Sequence, residues 1–431
     1  MRIVLLNLPW FKENRLGVRA GSRWPFTSYP EKDGMLHYIP FPFFLAYASS
    51  LLRRNGHHVR LIDAIAQRME MLNLMQALSS FIPDLVVIET STPSFSSDIE
   101  NIKIIHDQFP HCRIALCGTH ASVFPEQTLK EHEFINFILM GEYEYTLSEL
   151  ANYLNDDSEL ESVLGLAYRA GDIIKMNNPR PTIDNLDDLP WPEREDPPIY
   201  NYNDGFCNLP TPNVQMWASR GCPFECNFCL WPQTIYREHK YRKRNPADVV
   251  AEMQYLIKGF DFKAIYFDDD TFNIDRNHVL DICGEMRSRG VNIPWAVMSR
   301  ADLMDEELLK AMADAGLYAV KYGIESADKV VLSSCKKNMD LNKVAEIIKF
   351  TKSLGIKVQL SFCLGLPGET QESIKETKRF IDATAPDAFQ FSFAVPFPGT
   401  EYFKYLNSKG YLLSKDWSDY DGNCRCIAKI R

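Results

Sequence analysis

Short apolar runs alternate with amphipathic stretches in two separate series along this chain of 431 residues, and 8 prolines fall in the segment between them, from Pro179 to Pro212. Such runs, set between helical patterns, read as strands buried on both faces, which belong to parallel sheets with helices packed on either side. In the first series, residues 1–155, the candidate strands are Ile3–Asn7, His58–Ile62, Leu85–Thr90, Arg113–Cys117 and Phe137–Met140. The clearest helix is Pro42–Asn55, stopped by Gly56 where a C-cap glycine is expected. This order predicts a doubly wound parallel sheet, whose ligands sit beyond the carboxyl ends of its strands. Those ends carry Asn7-Leu8-Pro9, Asp63-Ala64, Thr90-Ser91-Thr92-Pro93-Ser94, Gly118-Thr119-His120 and Gly141-Glu142. Small and hydroxylic residues there let backbone approach a large ligand, and they are equally ordinary turn residues.

Residues 156–212 predict an irregular but ordered linker, with a hairpin over Leu166–Lys175 and an acidic stretch at Asp184–Asp188. The second series, residues 213–400, holds six strand candidates: Val214–Ser219, Ala264–Asp268, Trp295–Ser299, Ala319–Ile324, Lys357–Leu364 and Ala388–Val395. Helical patterns fall between them, among them Ala247–Lys258, Asn277–Arg289 and Glu306–Ala315. Six strand–helix units predict an incomplete (β/α) barrel with its active site at the C-terminal strand ends. Residues 401–431 form an aromatic, polar extension expected to close over that barrel.

Directly after the first barrel strand runs Arg220-Gly221-Cys222-Pro223-Phe224-Glu225-Cys226-Asn227-Phe228-Cys229. Three thiols in one loop at this spacing can converge on a soft metal centre. Three ligands on a four-iron cube leave one iron open for substrate. Zinc would want a fourth ligand, for which His239 and Cys207 are the candidates. Three unconnected buried thiols is the poorer reading of a loop that also carries Gly221 and Pro223.

With aromatic Phe228 before its last cysteine, this loop resembles the cluster loop of the radical S-adenosylmethionine superfamily. The resemblance implies a 4Fe–4S cluster on Cys222, Cys226 and Cys229, with S-adenosylmethionine chelated by the open iron and cleaved to a 5′-deoxyadenosyl radical. No protein side chain performs such a homolysis, so a cofactor must. It further implies that Asp268-Asp269-Asp270 holds the methionine amino group, with no choice among the three, where the family's usual form is Gly-Gly-Glu. Arg300 is implied as partner of the methionine carboxylate, a structural salt bridge being the other reading, and Glu325 as partner of the adenosyl ribose. Leu364–Thr370 and Pro396–Thr400 resemble turns of one large subgroup, which carries an N-terminal cobalamin-binding domain.

Gly17–Pro25, Gly118-Thr119-His120 and Gly141–Glu144 are similar to segments of that domain, so a Rossmann/flavodoxin-like α/β domain followed by a partial (β/α)6 TIM barrel is implied. The expected cobalamin contacts are Asn7, Thr90, Ser91, Thr92, Gly118, His120 and Glu142. The chain has no Asp-x-His-x-x-Gly, so no imidazole is expected on cobalt. His106 and His111 read as surface residues, and His120 as a contact to the corrin periphery. The resemblance implies methylation of an unactivated carbon of a small molecule, with radical cyclisation, ring contraction or rearrangement as the runner-up. A flavodoxin- or ferredoxin-type electron donor goes with either. A cobalamin sensor or electron-transfer protein is the third reading.

The net charge of −10 disfavours duplex DNA and anionic membranes as partners. Five Lys or Arg in Arg237–Arg244 are therefore expected as a solvated loop, or as a contact to an anionic substrate or electron donor. No apolar run approaches the roughly 20 residues of a membrane span. The N-terminus is too soon broken by Pro9 for a secretory signal. Eleven cysteines, an odd number, argue against a disulfide framework, and the expected address is cytoplasmic. Cys424 and Cys426 are weak candidates for a second metal, and Cys335 reads as a spectator thiol.

Overall fold

The first series of apolar runs forms a seven-stranded sheet in the computed structural model, which describes residues 1–30, 38–156, 159–204, 206–422 and 427–428. Its spatial order is Ile173–Met176, Leu166–Ala170, Phe137–Leu139, Arg113–Gly118, Leu85–Thr90, Arg2–Asn7 and His58–Asp63. The last five of these are parallel. Leu85–Thr90 is buried along its whole length, as a strand covered by helices on both faces must be. The carboxyl ends lie level: Asn7 pairs with Asp63 and Thr90 with Gly118. Gly118 is required there, because its φ is +95° and a Cβ would come within 2.3 Å of the Thr90 carbonyl oxygen.

Two features depart from the expected boundaries. The hairpin predicted over Leu166–Lys175 forms, but it pairs antiparallel onto Phe137–Leu139, so the first sheet continues to Met176. Residues 11–28 build a further three-stranded antiparallel sheet from Phe11–Lys12, Arg15–Val18 and Phe26–Ser28. Strands of two to four residues show no readable alternation. Their last connection is a strap, Arg19–Pro25, beside the ends of the parallel strands.

The second series forms six parallel strands in sequence order: Asn213–Met216, Ala264–Phe267, Trp295–Ser299, Leu317–Glu325, Lys357–Leu364 and Ala388–Phe393. Helices start between them at side-chain caps, with Asp275, Asp305 and Asp340 each accepting from backbone N–H groups of the first turn. First and sixth strands do not pair, so the barrel is open, and Phe389 and Phe391 on its free edge are 54% and 42% exposed.

The two halves share one apolar core, in which Phe43 of the first stacks on Trp217 of the second with ring centroids 4.1 Å apart. The extension divides: Glu401–Ser408 packs on the barrel end, where Tyr402 Oη donates to the Gly365 carbonyl at 2.8 Å. Beyond it Leu412 and Ala428 stay packed with barrel residues such as Phe228 and Cys363, while the segment between them reaches the first half. There Asp421 accepts from Thr27 N and Oγ1, and Trp417 packs on His120. Cys424 and Cys426 lie outside the described residues. No described helix is long and apolar enough to cross a membrane.

Candidate cluster and cofactor site

The three-cysteine loop is pinned from four sides. Gly221, at φ +83°, has no room for a Cβ, which would meet the Lys240 carbonyl oxygen at 2.1 Å. Its N–H donates to Asp270 Oδ2 at 2.8 Å. Asn227 N donates to the Cys335 carbonyl at 3.3 Å, and Gln233 Nε2 reaches the carbonyls of Cys226, Asn227 and Cys229. Arg300 lies over the Phe224 ring, 3.8 Å from its centroid. Burial pushes the Cys222 and Cys226 thiols up, and Cys229, with the other two sulfurs beside it, is held well above the usual range. Such thiols become thiolates only beside a cation. Among the described residues no three ligating groups converge on one ion, a condition that a four-iron cube, with its irons apart, does not impose. Cys207, offered above as a fourth zinc ligand, lies in the wall of the barrel cavity with Lys357 and Asp387.

The three aspartates after the second barrel strand have three different roles. Asp269 accepts from Ala218 N at 2.9 Å and Ser219 Oγ at 2.5 Å, tying its strand to the first. Asp270 holds Gly221 N and accepts from Tyr236 Oη at 3.0 Å. Asp268 lines the barrel cavity, and its Oδ2 is buried without a hydrogen-bond partner. Burial raises the Asp268 and Asp269 carboxyls to about 7, and Arg23 works against that rise at Asp268.

That cavity encloses about 860 Å³ inside the open barrel, ample for a small ligand. Phe228, Asp268 and Glu325 line it, together with Ser22, Arg23 and Trp24 of the strap, of which Arg23 bonds Asp268 and Trp24 packs on Phe228. Glu325 sits at φ +67° and accepts from Lys337 Nζ at 2.7 Å. Arg300 makes two bonds to Asp302, at 3.0 and 2.8 Å, and does not line the cavity.

At the switch point of the first sheet, Arg19 fills the gap between strands. It donates to Asn7 Oδ1 at 3.1 Å and to the Leu8 carbonyl at 2.5 Å, and it pairs with Asp98. A crevice beside it is lined by Thr90, Ser91 and Gly118 on one side and by Tyr143, Trp231 and Ile235 on the other. Ser22 lines both crevice and cavity.

The family models of the radical SAM superfamily and of the B12 binding domain match residues 218–381 and 36–151. An uncharacterised methyltransferase of Pyrococcus horikoshii is 31% identical over 380 residues, covering 88% of this chain and 81% of the relative. The chain belongs to the radical SAM superfamily, with a B12-binding domain. This radical SAM enzyme is 29% identical over 396 residues to the anaerobic magnesium-protoporphyrin IX monomethyl ester cyclase of Cereibacter sphaeroides, covering 88% of this chain and 62% of the cyclase. Its fold is similar to that of the radical S-adenosylmethionine methyltransferase TsrM from Kitasatospora setae, solved with tryptophan substrate and a SAM analogue. The TM-score is 0.76 at 16% identity, over 100% of this chain and 85% of that one.

Membership brings a 4Fe–4S cluster, S-adenosylmethionine and cobalamin as cofactors. The half-buried thiol trio and the unpartnered Asp268 Oδ2 suit the first two. The crevice is lined by small, hydroxylic and aromatic residues but measures about 10 Å³, room for one water, so it does not hold a corrin as it stands.

Several expected contacts are engaged elsewhere in the radical SAM enzyme. Glu142 is held by Arg220 at 3.2 Å, Arg242 at 2.7 Å and Ile183 N at 2.9 Å, because buried guanidinium groups at the junction of the halves need carboxylates. The Asn7 amide is shared between Asp63 and Arg19. Thr92 Oγ1 lies 3.2 Å from His120 Nδ1, and the His120 ring is boxed by Phe95, Phe124 and Trp417. The basic run is solvated only in part: Arg237, Lys240 and Lys243 are exposed, whereas Arg242 and Arg244 are buried and paired with Glu142 and Glu252. The sequence reading passed over Arg23 and Lys337. The partners of Arg23 are distant in sequence, hinted at only by the strap motif Gly17–Pro25, and Lys337 lies 12 residues beyond Glu325 with no motif to join them.

Proposed function

We propose that the chain is a cobalamin-dependent radical SAM methylase acting on an unactivated carbon of a small metabolite. The observation that carries this is the convergence on one cavity of Phe228 from the three-cysteine loop, the unpartnered Asp268 Oδ2 and Glu325, with Arg23 and Trp24 of the B12-binding half's strap packed directly against Asp268 and Phe228. Cys222, Cys226 and Cys229 would hold the cluster. Asp268 would take the ammonium of S-adenosylmethionine through Oδ2, in preference to Asp269 and Asp270, whose carboxylates brace the backbone. Glu325 would accept from the ribose hydroxyls, with Lys337 fixing its carboxylate. Thr90, Ser91 and Gly118 would face cobalamin. When bound, these groups supply a radical that takes hydrogen from an unreactive C–H bond and a methyl group to replace it. The protein's part is to exclude water and to hold the target carbon in the barrel cavity. A flavodoxin- or ferredoxin-type donor would provide the electron.

Radical cyclisation is the second reading, favoured by the similarity to the cyclase of Cereibacter sphaeroides. Mass spectrometry of products from the reduced, reconstituted enzyme separates the two. A product heavier than its precursor by one CH2 supports methylation. A product of unchanged mass, or one lacking hydrogen, supports the alternative.

A further inference from the structure

The strap of the B12-binding half sends one side chain across to the second barrel strand. Arg23 donates from Nη1 to Asp268 Oδ1 at 2.9 Å, from Nη2 to the Asp268 carbonyl at 2.6 Å and from Nε to Asp270 Oδ1 at 2.8 Å. Its guanidinium lies over Trp231, 4.5 Å from the ring centroid. One planar fork thus grips two carboxylates and a carbonyl, a geometry a lysine cannot reproduce. With Oδ1 and the carbonyl both held, the Asp268 carboxylate has one orientation, which leaves Oδ2 unpartnered in a residue only 3% exposed that lines the cavity. The same guanidinium steadies Asp270, which carries the Gly221 N–H at the start of the cluster loop.

We infer that Arg23 is a positioning residue for S-adenosylmethionine: it aims Asp268 Oδ2 at the ammonium group, so the B12-binding half completes a site otherwise built by the barrel. This rests on the placement of S-adenosylmethionine given under the proposed function and adds a determinant from the other half of the chain. A purely structural Arg23 would join the halves without affecting which end of the ligand is read.

The test compares S-adenosylmethionine with its analogue lacking the α-amino group, by equilibrium dialysis against the reconstituted, cobalamin-loaded full chain. The wild type is expected to prefer S-adenosylmethionine by about tenfold or more, the scale of one charge-assisted contact. Arg23→Met should bring that preference close to one, Arg23→Lys should keep part of it, and Arg23→Met should change little in an Asp268→Asn background. Cluster absorbance and cobalamin content report the integrity of each variant, and Arg23→Lys decides the matter if Arg23→Met loses either. A preference that survives both Arg23 substitutions overturns the inference, as does equal weakening of the two ligands. Wild-type binding without preference removes Asp268 as ammonium partner and the inference with it. Failure of the wild type to bind S-adenosylmethionine at all overturns the proposed function as well.

Discussion

Arg220 Nη1 lies 2.7 Å from Glu144 and 3.2 Å from Glu142, and all three side chains are at most 2% exposed. The guanidinium also stacks near Tyr47, 4.7 Å from its ring centroid. The residue that opens the cluster loop is therefore anchored in the B12-binding half, and the loop's position depends on both halves being docked.

Arg220→Met should consequently destabilise the folded chain by about 3–5 kcal/mol, since it strands the buried Glu144 carboxylate, Glu142 keeping Arg242. Denaturant unfolding followed by tryptophan fluorescence measures this. A loss under about 1 kcal/mol would show that the network is solvated and that the loop is held by its local bonds alone.

Replacing Cys222, Cys226 and Cys229 together with Ala should abolish the cluster in anaerobically reconstituted protein. Cobalamin should remain bound, because Thr90, Ser91 and Gly118 belong to the other sheet. Iron and sulfide staying at about four each per chain would place the cluster on other cysteines.

Glu325→Ala should weaken S-adenosylmethionine binding by about ten- to a hundredfold while sparing the cluster, the scale of a charge-assisted hydrogen bond. Lys337→Met should act in the same direction, since it leaves Glu325 without the ammonium 2.7 Å away. Unchanged affinity in Glu325→Ala would make this acid a strand-end brace only.

Why some of this was legible in sequence and some was not follows from range. Leu85–Thr90 and Trp295–Ser299 appear with the bounds read from their apolar runs, because burial on both faces leaves a local signature. Cys222, Cys226 and Cys229 stand out as candidates because the spacing expected of a metal site in one loop is written locally. Asp268, Asp269 and Asp270 were equivalent in sequence, and only partners as remote as Arg23 and Ser219 separate them. The buried pairing of Glu142 with Arg242 was illegible for the same reason. An isolated charge reads as a ligand contact or a solvated loop until its buried counter-ion is known.

Glu89 gives a pH test of the crevice. Burial raises its carboxyl from the usual 4.5 to about 7, Tyr143 Oη being its nearest donor at 3.4 Å. The folded state thus binds this proton more tightly than the unfolded chain, and stability from it is present below about pH 4.5 and lost as pH rises through about 7. Glu89→Gln should therefore be more stable than wild type at pH 8 by up to about 3 kcal/mol, with the difference fading towards pH 5. Urea midpoints across that range check the sign. A variant less stable at pH 8 would mean that the carboxylate has a cationic partner, with Arg19 the nearest source of charge.

The last expectation concerns the underside of cobalt. His120 has the only imidazole beside the Thr90–Ser94 and Gly118–Thr119 turns among the described residues, and its ring is enclosed by Phe95, 4.0 Å between centroids, with Phe124 and Trp417 around it. Burial pushes it down to about 3, so it is neutral at working pH and could ligate a metal only by leaving that box. Leaving would break its contact to Thr92 and expose three aromatic rings, one of them from the C-terminal extension. The enclosure argues against imidazole ligation more strongly than the missing sequence motif does. Electron paramagnetic resonance of the cob(II)alamin form should therefore lack the nitrogen superhyperfine splitting of an axial imidazole or benzimidazole. His120→Ala should leave that spectrum unchanged while lowering stability by about 2–4 kcal/mol, as removal of a packed ring does. A splitting present in the wild type and lost in His120→Ala would show that the ring swings out to cobalt, with Trp417 and the extension moving to let it pass.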